Sequence, residues 1–267
     1  MTDSDAVPAA SSTAAEGAAE PERALVVFAN PEPTSFGASM RDRIVAGLEA
    51  QGVEVEVSDL YEMGFDPVAR GEDFRDRRFP DRLWYDREQQ HAVRGDTLPD
   101  DVAVEVEKLR RADLVVLVFP LWWFSVPAIM KGWIDRTFVK EVAYGSARRY
   151  ENGGFAGKRA MIVTTTNAWP GMLEPDGLMG DVEIVLWPLQ NGVLAYTGFT
   201  VLPALVANAV AFVDDDARAG ILDELDGRIR DWRTAEPIPF HRSDEVGEDW
   251  RLLPGVEPRV IGHRRPA

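Results

Sequence analysis

Short apolar runs recur along the chain, and longer segments of helical or polar character separate them. Residues 24–29 and 114–119 are almost continuous apolar runs, which is typical of strands that are buried on both faces. Weaker runs predict three further strands, at residues 53–57, 160–166 and 199–205. The intervening segments predict helices at residues 36–51, 100–112, 127–138, 181–196 and 214–232.

Five strands that alternate with helices predict an α/β fold, because such a pattern builds a parallel sheet through right-handed crossovers. One domain accounts for residues 24–232. Residues 1–23 are rich in Ala, Ser, Glu and Pro and predict a disordered leader. Residues 233–267 show no clear period and predict an irregular tail, and residues 59–98 form a long charged insertion of the kind that is usually functional or contacts a partner.

Three of the predicted strands end in loops that are suited to a ligand. The first loop leads through Thr34 and Ser35 into a helix, whose N-terminus can attract an anion. The second contains Pro120 and three aromatic residues, and the third has the sequence TTTNAWPG. In a sheet of order 2-1-3-4-5 these loops lie side by side at the carboxyl edge, where open α/β sheets bind ligands. The simpler alternative is that Ser35 only caps a helix and the aromatic residues only fill a strand end.

Composition excludes several classes of function. The chain has 267 residues, a formal net charge of −16, three histidines that are far apart and no cysteine. This argues against nucleic acid or an anionic membrane as a partner, and against disulfides, thiolate catalysis and a metal site. No apolar run approaches membrane-spanning length and the N-terminus lacks a secretory pattern, so we expect a cytoplasmic protein without membrane insertion.

The run FPLWWFSVPAIMKGWIDRTF, which ends at Phe138, resembles the signature of the NAD(P)H:quinone oxidoreductases, the DT-diaphorase and modulator-of-drug-activity group of flavodoxin-like flavoproteins. Further matches extend the resemblance over residues 23–232. They are TSF from Thr34, SDLY from Ser58, AY at Ala143, GD at Gly180, LWPLQ-x-G from Leu186 and DAR from Asp216.

The resemblance implies a flavodoxin-like, five-stranded parallel sheet of order 2-1-3-4-5 and a bound flavin, with FAD favoured over FMN and NAD(P)H as co-substrate. It also implies a homodimer with the active site at the subunit interface, and a small-molecule acceptor. By resemblance, the cofactor-binding positions are Asn30, Thr34, Ser35, Phe36, Gly37, Pro120, Leu121, Trp122, Trp123, Phe124, Thr165, Thr166, Asn167, Ala168 and Arg218. The substrate-binding positions are Trp123, Phe124, Tyr144, Ser146, Trp169, Leu173 and Met179.

The chain departs from the family pattern where proton chemistry is expected. The best-known quinone reductases have Tyr and His at the positions of Leu173 and Met179, and neither replacement can donate a comparable hydrogen bond or take a proton. In the third loop, the family has a pair of glycines where this chain has Asn167 and Ala168. In the first loop, the family has a histidine where this chain has Asn30. No catalytic residue is therefore assigned. We expect the entrance of the site to be more apolar than in the best-known quinone reductases, and we expect Asn167 or Trp169 to compensate for the missing Tyr and His.

These patterns leave several functions open. The first is a flavin-dependent NAD(P)H oxidoreductase that passes hydride to a quinone or another planar, apolar acceptor. The departures at Leu173 and Met179 suggest, as an alternative, a specialised reductase of a biosynthetic pathway with a non-quinone substrate. A second alternative is a flavin-bound regulatory subunit of a potassium efflux system, and a third is an FMN electron carrier.

Overall fold

The computed structural model describes residues 21–260, 262 and 263. Its centre is a sheet in which every pair of neighbouring strands is parallel. The strands are β1 (Arg23–Phe28), β2 (Glu54–Asp59), β3 (Leu114–Pro120), β4 (Arg159–Thr165), β5 (Thr200–Val201) and β6 (Leu205–Ala207). The order is β2-β1-β3-β4-β5, with β6 also on β4, which confirms the predicted α/β architecture.

The helices are α1 (Phe36–Glu49), α2 (Tyr85–Gly95), α3 (Asp100–Arg111), α4 (Ala128–Thr137), α5 (Val182–Leu189) and α6 (Asp215–Arg230). The residues Gln190–Ala195 continue α5 as a π-helical segment that begins two residues after Pro188. The single helix predicted for residues 181–196 thus changes its geometry near this proline, because proline removes a helical hydrogen bond.

Three details differ from the sequence-based expectations. The predicted fifth strand is two short segments, since Pro203 lies between β5 and β6 and has no N–H for the ladder. Helix α2 lies within the insertion of residues 59–98, where the sequence predicted no helix, because the polar composition of this segment hides the helical period. Strand β1 begins at Arg23, so that residue belongs to the sheet and not to the leader, whose residues 1–20 lie outside the described part of the chain.

Two apolar layers cover the sheet. On one face α1 and α6 pack through residues such as Ile44 and Ile229. On the other face α3, α4 and α5 pack through residues such as Leu109, Trp133 and Leu186. Strand β3 is buried along its whole length, as expected for the centre of a doubly covered parallel sheet.

The insertion packs against α4 and is held there by buried polar contacts. Gly132 approaches Pro67 so closely that a Cβ atom would overlap the Pro67 backbone. Arg136, only 4% exposed, donates to Asp101 Oδ2 at 2.7 Å, to Asp73 Oδ1 at 3.2 Å and to the Asp66 carbonyl at 2.8 Å. Part of the KGWIDRTF sequence therefore serves to attach the insertion to the body.

The described part of the tail lies against the body. The Ile238 N–H donates to the Val201 carbonyl at 2.9 Å, and Ser243 bonds the Glu151 carboxylate. Arg259 donates to both carboxylate oxygens of Glu245. In residues 21–260, 262 and 263, no helix has the length and apolar character that crossing a membrane requires.

Candidate active site

A cavity of about 610 Å³ opens at the carboxyl edge of the sheet, where β1, β3 and β4 end. Its volume lies in the range of cofactor and small-molecule pockets. It is lined by Asn30, Ser35, Phe36, Gly37, Pro120, Leu121, Trp122, Trp123, Phe124, Thr165, Thr166, Asn167, Ala168, Met172, Leu173, Met179 and Val210. The three loops that the sequence placed together do meet here, because their strands are neighbours in the sheet.

The first wall is the start of α1. Ser35 Oγ accepts a hydrogen bond from the Ala38 N–H at 3.2 Å, and Asn30 Oδ1 accepts one from the Glu32 N–H at 2.9 Å. Gly37, the second residue of this helix, lines the same end of the cavity. The N-terminus of a 14-residue helix thus borders the cavity and favours an anionic group there.

The second wall is a tight turn from Trp122 to Ser125. The N–H groups of these two residues each donate to the other's carbonyl at 3.0 Å. The two central residues, Trp123 and Phe124, have φ values of 51° and 58°. That is the backbone of a type I′ turn, which favours Asn and Gly, so two bulky aromatic residues hold it under strain. The side chain of Trp123 is 96% exposed and provides a flat apolar surface at the cavity rim.

The third wall is the loop after β4. Leu121 N–H donates to the Thr165 carbonyl at 2.8 Å, which ties the second loop to the third. Thr166 Oγ1 accepts from the Ala168 N–H at 3.1 Å, and the Thr166 carbonyl accepts from the Val210 N–H at 3.2 Å. The bond from Val210 brings the segment after β6 into the wall. Sequence analysis missed Val210, since no polar or aromatic signal marks it.

The fourth wall comes from the loop between β4 and α5. It supplies Met172, Leu173 and Met179, and the Met179 N–H donates to the Met172 carbonyl at 2.9 Å. Leu173 is buried, whereas Met179 is 40% exposed. Met172 was not predicted, although it directly precedes Leu173 in the same loop. Leu173 and Met179, where the chain lacks the Tyr and His of the family pattern, therefore face the same cavity.

The lining is polar in places but carries no ionisable side chain among the described residues. Its side-chain hydrogen-bonding groups are hydroxyls, amides and indole N–H groups, which belong to Ser35, Thr165, Thr166, Asn30, Asn167, Trp122 and Trp123. Within one subunit, the cavity can orient a flat ligand through hydrogen bonds and apolar contact. It offers neither a general acid nor a fixed counter-charge.

Three predicted residues lie near this cavity but do not line it. Thr34 donates to the Glu32 carboxylate through Oγ1 at 2.6 Å and through its N–H at 2.9 Å; these bonds lower the pKa of Glu32. Arg218 donates to the Val210 carbonyl at 3.0 Å and pairs with Asp215. Trp169 stacks on Phe212, with ring centroids 5.9 Å apart and 20° between the planes.

Tyr144 and Ser146 lie elsewhere. Tyr144 lines a separate cavity of about 470 Å³ together with Tyr85, Asp86 and Tyr196. Burial, with a smaller contribution from Asp86, raises the pKa of Tyr144. The Ser146 carbonyl accepts from Arg149 Nη2 at 2.7 Å. The single subunit thus does not bring these two predicted substrate residues to the large cavity.

Comparison with known proteins places this arrangement in a family. Residues 22–231 match the model of a family described as having a flavodoxin-like fold. The NAD(P)H dehydrogenase [quinone] 1 of Cavia porcellus is 37% identical over 82% of this chain and 80% of its own length. The ribosyldihydronicotinamide dehydrogenase [quinone] of Homo sapiens is also 37% identical, over 82% of this chain and 95% of its own length.

The solved structures agree with these relatives. A candidate quinone reductase from Klebsiella pneumoniae superimposes with a TM-score of 0.82 at 34% identity, covering 89% of this chain and 96% of its own. The cavity also fits a flavin, since a helix N-terminus, an aromatic turn and a row of hydroxyl and amide groups surround one flat space. The chain belongs to the NAD(P)H:quinone oxidoreductase family, whose members are flavin-dependent oxidoreductase enzymes with a flavodoxin-like fold.

Proposed function

We propose that this enzyme transfers a hydride from NAD(P)H to a quinone through a flavin held in the 610 Å³ cavity. The main support for the proposal is that the α1 N-terminus, the aromatic turn and the loop after β4 all line this one cavity. In the overall reaction a quinone gains a hydride and a solvent proton and becomes a hydroquinone. Bound flavin supplies the acceptance and release of that hydride.

The residues of the chain bind and orient the cofactor in this proposal. The N-terminus of α1, with Ser35, Phe36 and Gly37, holds the phosphate end, because free N–H groups and the helix dipole favour anions. The turn at Trp123 and Phe124 provides a wall for the flat ring. The loop from Thr165 to Ala168 supplies hydrogen bonds for the ring's polar edge.

FAD is the proposed form of the flavin. Arg218 lies next to the cavity through its bond to the Val210 carbonyl, and it corresponds by resemblance to an arginine near the adenosine of FAD. Release of the cofactor from purified protein, followed by chromatography against FAD and FMN standards, tests this point. Recovery of FMN alone would contradict it.

A homodimer is the proposed assembly. Tyr144 and Ser146 do not reach the large cavity of their own subunit, and a partner subunit would bring its own copies to the substrate side. Size-exclusion chromatography with light scattering should give twice the 29.7 kDa chain mass. A monomer with full activity would refute the shared site.

Activity is tested with purified, flavin-loaded protein, NADH or NADPH, and an added naphthoquinone. We expect yellow protein whose NAD(P)H oxidation depends on the quinone. Trp123→Ala should weaken flavin retention and lower turnover, because it removes the exposed ring at the cavity rim. The matched control is Trp84→Ala, an exposed tryptophan outside the cavity lining. Colourless protein that gains no flavin on reconstitution would rule out the proposal.

A further inference from the structure

The loop of residues 169–181 forms a compact apolar face on the cavity. Three of its side chains, Met172, Leu173 and Met179, line the wall, and they are two thioethers and one aliphatic group. Thioethers are polarizable and adapt to flat aromatic partners without directional hydrogen bonds. This face therefore favours an aromatic ring and offers nothing to a charged substituent.

The loop is built to keep that face in place. The Met179 N–H donates to the Met172 carbonyl at 2.9 Å, and the Val182 N–H donates to the Leu173 carbonyl at 2.9 Å. A Cβ atom on Gly177 would overlap the Gly171 carbonyl oxygen, so the two arms of the loop touch through backbone. Leu178, at the outer end, is 93% exposed and does not line the cavity.

The arginines beside the cavity and on the Tyr144 side already have hydrogen-bond partners. Arg218, beside the cavity, pairs with Asp215 and donates to the Val210 carbonyl. On the Tyr144 side, Arg148 donates to the Glu141 carbonyl, and Arg149 donates to the Ser146 carbonyl and lies 4.6 Å from the Trp250 ring centre.

We propose that the Met172–Leu173–Met179 face restricts this enzyme to uncharged, planar aromatic acceptors and excludes acceptors that carry an acidic group. The inference rests on the proposed quinone reduction and specifies its substrate class. The physical reason is desolvation: an anion that enters this wall loses water and finds no cation or ionisable donor among the described lining residues. A neutral ring loses only apolar surface to water and is favoured there.

The experiment compares a neutral naphthoquinone with a derivative that differs only by one sulfonate group. Both are assayed with flavin-loaded enzyme and saturating NAD(P)H. Rates with free reduced flavin correct for the intrinsic reactivity of the two compounds. We expect kcat/KM to be about 30-fold or more higher for the neutral compound after correction, equivalent to ~2 kcal/mol. Dissociation constants, from perturbation of the oxidised flavin spectrum, should show the same preference without turnover.

Met179→Arg tests the cause, because this half-exposed side chain can be replaced by a cation without burying it fully. The variant should reduce the preference for the neutral compound by about tenfold, since it places a charge partner at the wall. Met179→Leu should keep the preference. Leu178→Arg adds the same charge to the same loop, facing solvent, and should leave the ratio unchanged.

The outcomes separate this inference from the proposed function. Equal corrected rates and affinities for the two compounds would overturn the charge selection while leaving quinone reduction intact. The charge selection would also be overturned if the sulfonate reacted at a high rate and Arg149→Gln abolished that rate. In that case Arg149, on the Tyr144 side, would bind the sulfonate group. Failure to reduce either compound, in protein that retains flavin, would instead count against quinone reduction itself.

Discussion

Gly132 and Pro67 are in backbone contact: a Cβ atom on Gly132 would overlap the carbonyl oxygen of Pro67. Gly132 lies on α4, the helix that follows the aromatic turn in the chain, and Pro67 lies in the insertion. The contact thus links the segment that walls the cavity to the segment that covers α4. It gives the glycine of the KGW sequence a structural role that is independent of any ligand.

Gly132→Ala should lower the free energy of unfolding by about 2–3 kcal/mol, because the added methyl group must displace backbone. Gly220→Ala is the matched control. It also lies within a helix, no atom lies within 4 Å of the added methyl, and alanine should raise stability by about 0.5–1 kcal/mol. Urea denaturation measures the free energy of unfolding of both variants. Equal changes in the two would show that the insertion moves away from the added methyl group at little cost.

Arg136→Met should cost about 3–5 kcal/mol, because it leaves the poorly exposed Asp73 carboxylate without its charge partner. Lys131→Met, on the same helix, breaks only the exposed pair with Asp135 and should change stability by less than about 1 kcal/mol. Proteolysis with trypsin should cut the insertion faster in the first variant only. Unchanged stability of Arg136→Met would mean that the cluster does not hold the insertion.

The double variant Trp123→Asn, Phe124→Gly should raise stability by about 1–2 kcal/mol, since those residues suit the positive φ values of the turn. It should also weaken flavin affinity by about tenfold or more, because the aromatic wall is lost. Urea denaturation of the flavin-free protein and fluorescence titration with FAD measure the two effects separately. If the variant is stable and binds FAD with undiminished affinity, the aromatic turn is not part of the cofactor site.

Ser35 offers a way to separate capping from anion binding. Ser35→Ala should cost about 1 kcal/mol of stability, because its Oγ accepts from the Ala38 N–H. Ser35→Asp keeps the cap, yet it places a negative charge where we propose the flavin phosphates bind. We therefore expect near-normal stability but weaker FAD binding for the aspartate variant, measured by fluorescence titration. Equal binding by both variants would place the phosphates elsewhere.

The tail should loosen in acid. Hydrogen bonds from Arg259 lower the pKa of Glu245 from 4.5 to about 2, with help from the Arg242 N–H. A lowered folded-state pKa means that this contribution to stability is present above pH 4.5 and is lost as the pH falls toward 2. Hydrogen exchange of residues 238–260 in wild type and Glu245→Gln should therefore differ at neutral pH and converge over that window. A difference that persists at the acid end would exclude this pair as the cause.

Much of the fold followed from residue pattern. The apolar runs at β1, β3 and β4 could be recognised because strands in a doubly covered sheet need apolar side chains on both faces. Helix α2 could not, since its buried face is polar: Glu88 accepts hydrogen bonds from the backbone of the insertion itself, and Gln89 donates to the Asp135 carbonyl on α4. Pro203 indicated a break within the predicted fifth strand. The sequence did not show that the segments on either side of it, β5 and β6, both pair with β4.

The sequence by itself determined the main apolar strands, the three loops that follow them and the family resemblance, because each is contained in a local pattern or a contiguous motif. The sheet order followed only from that resemblance. Only the tertiary structure decided which side chains meet. It placed Met172 and Val210 in the cavity and left Thr34, Trp169 and Arg218 beside it. It also put Tyr144 and Ser146 outside the cavity of their own subunit, because such proximity depends on how distant loops pack and not on any local period.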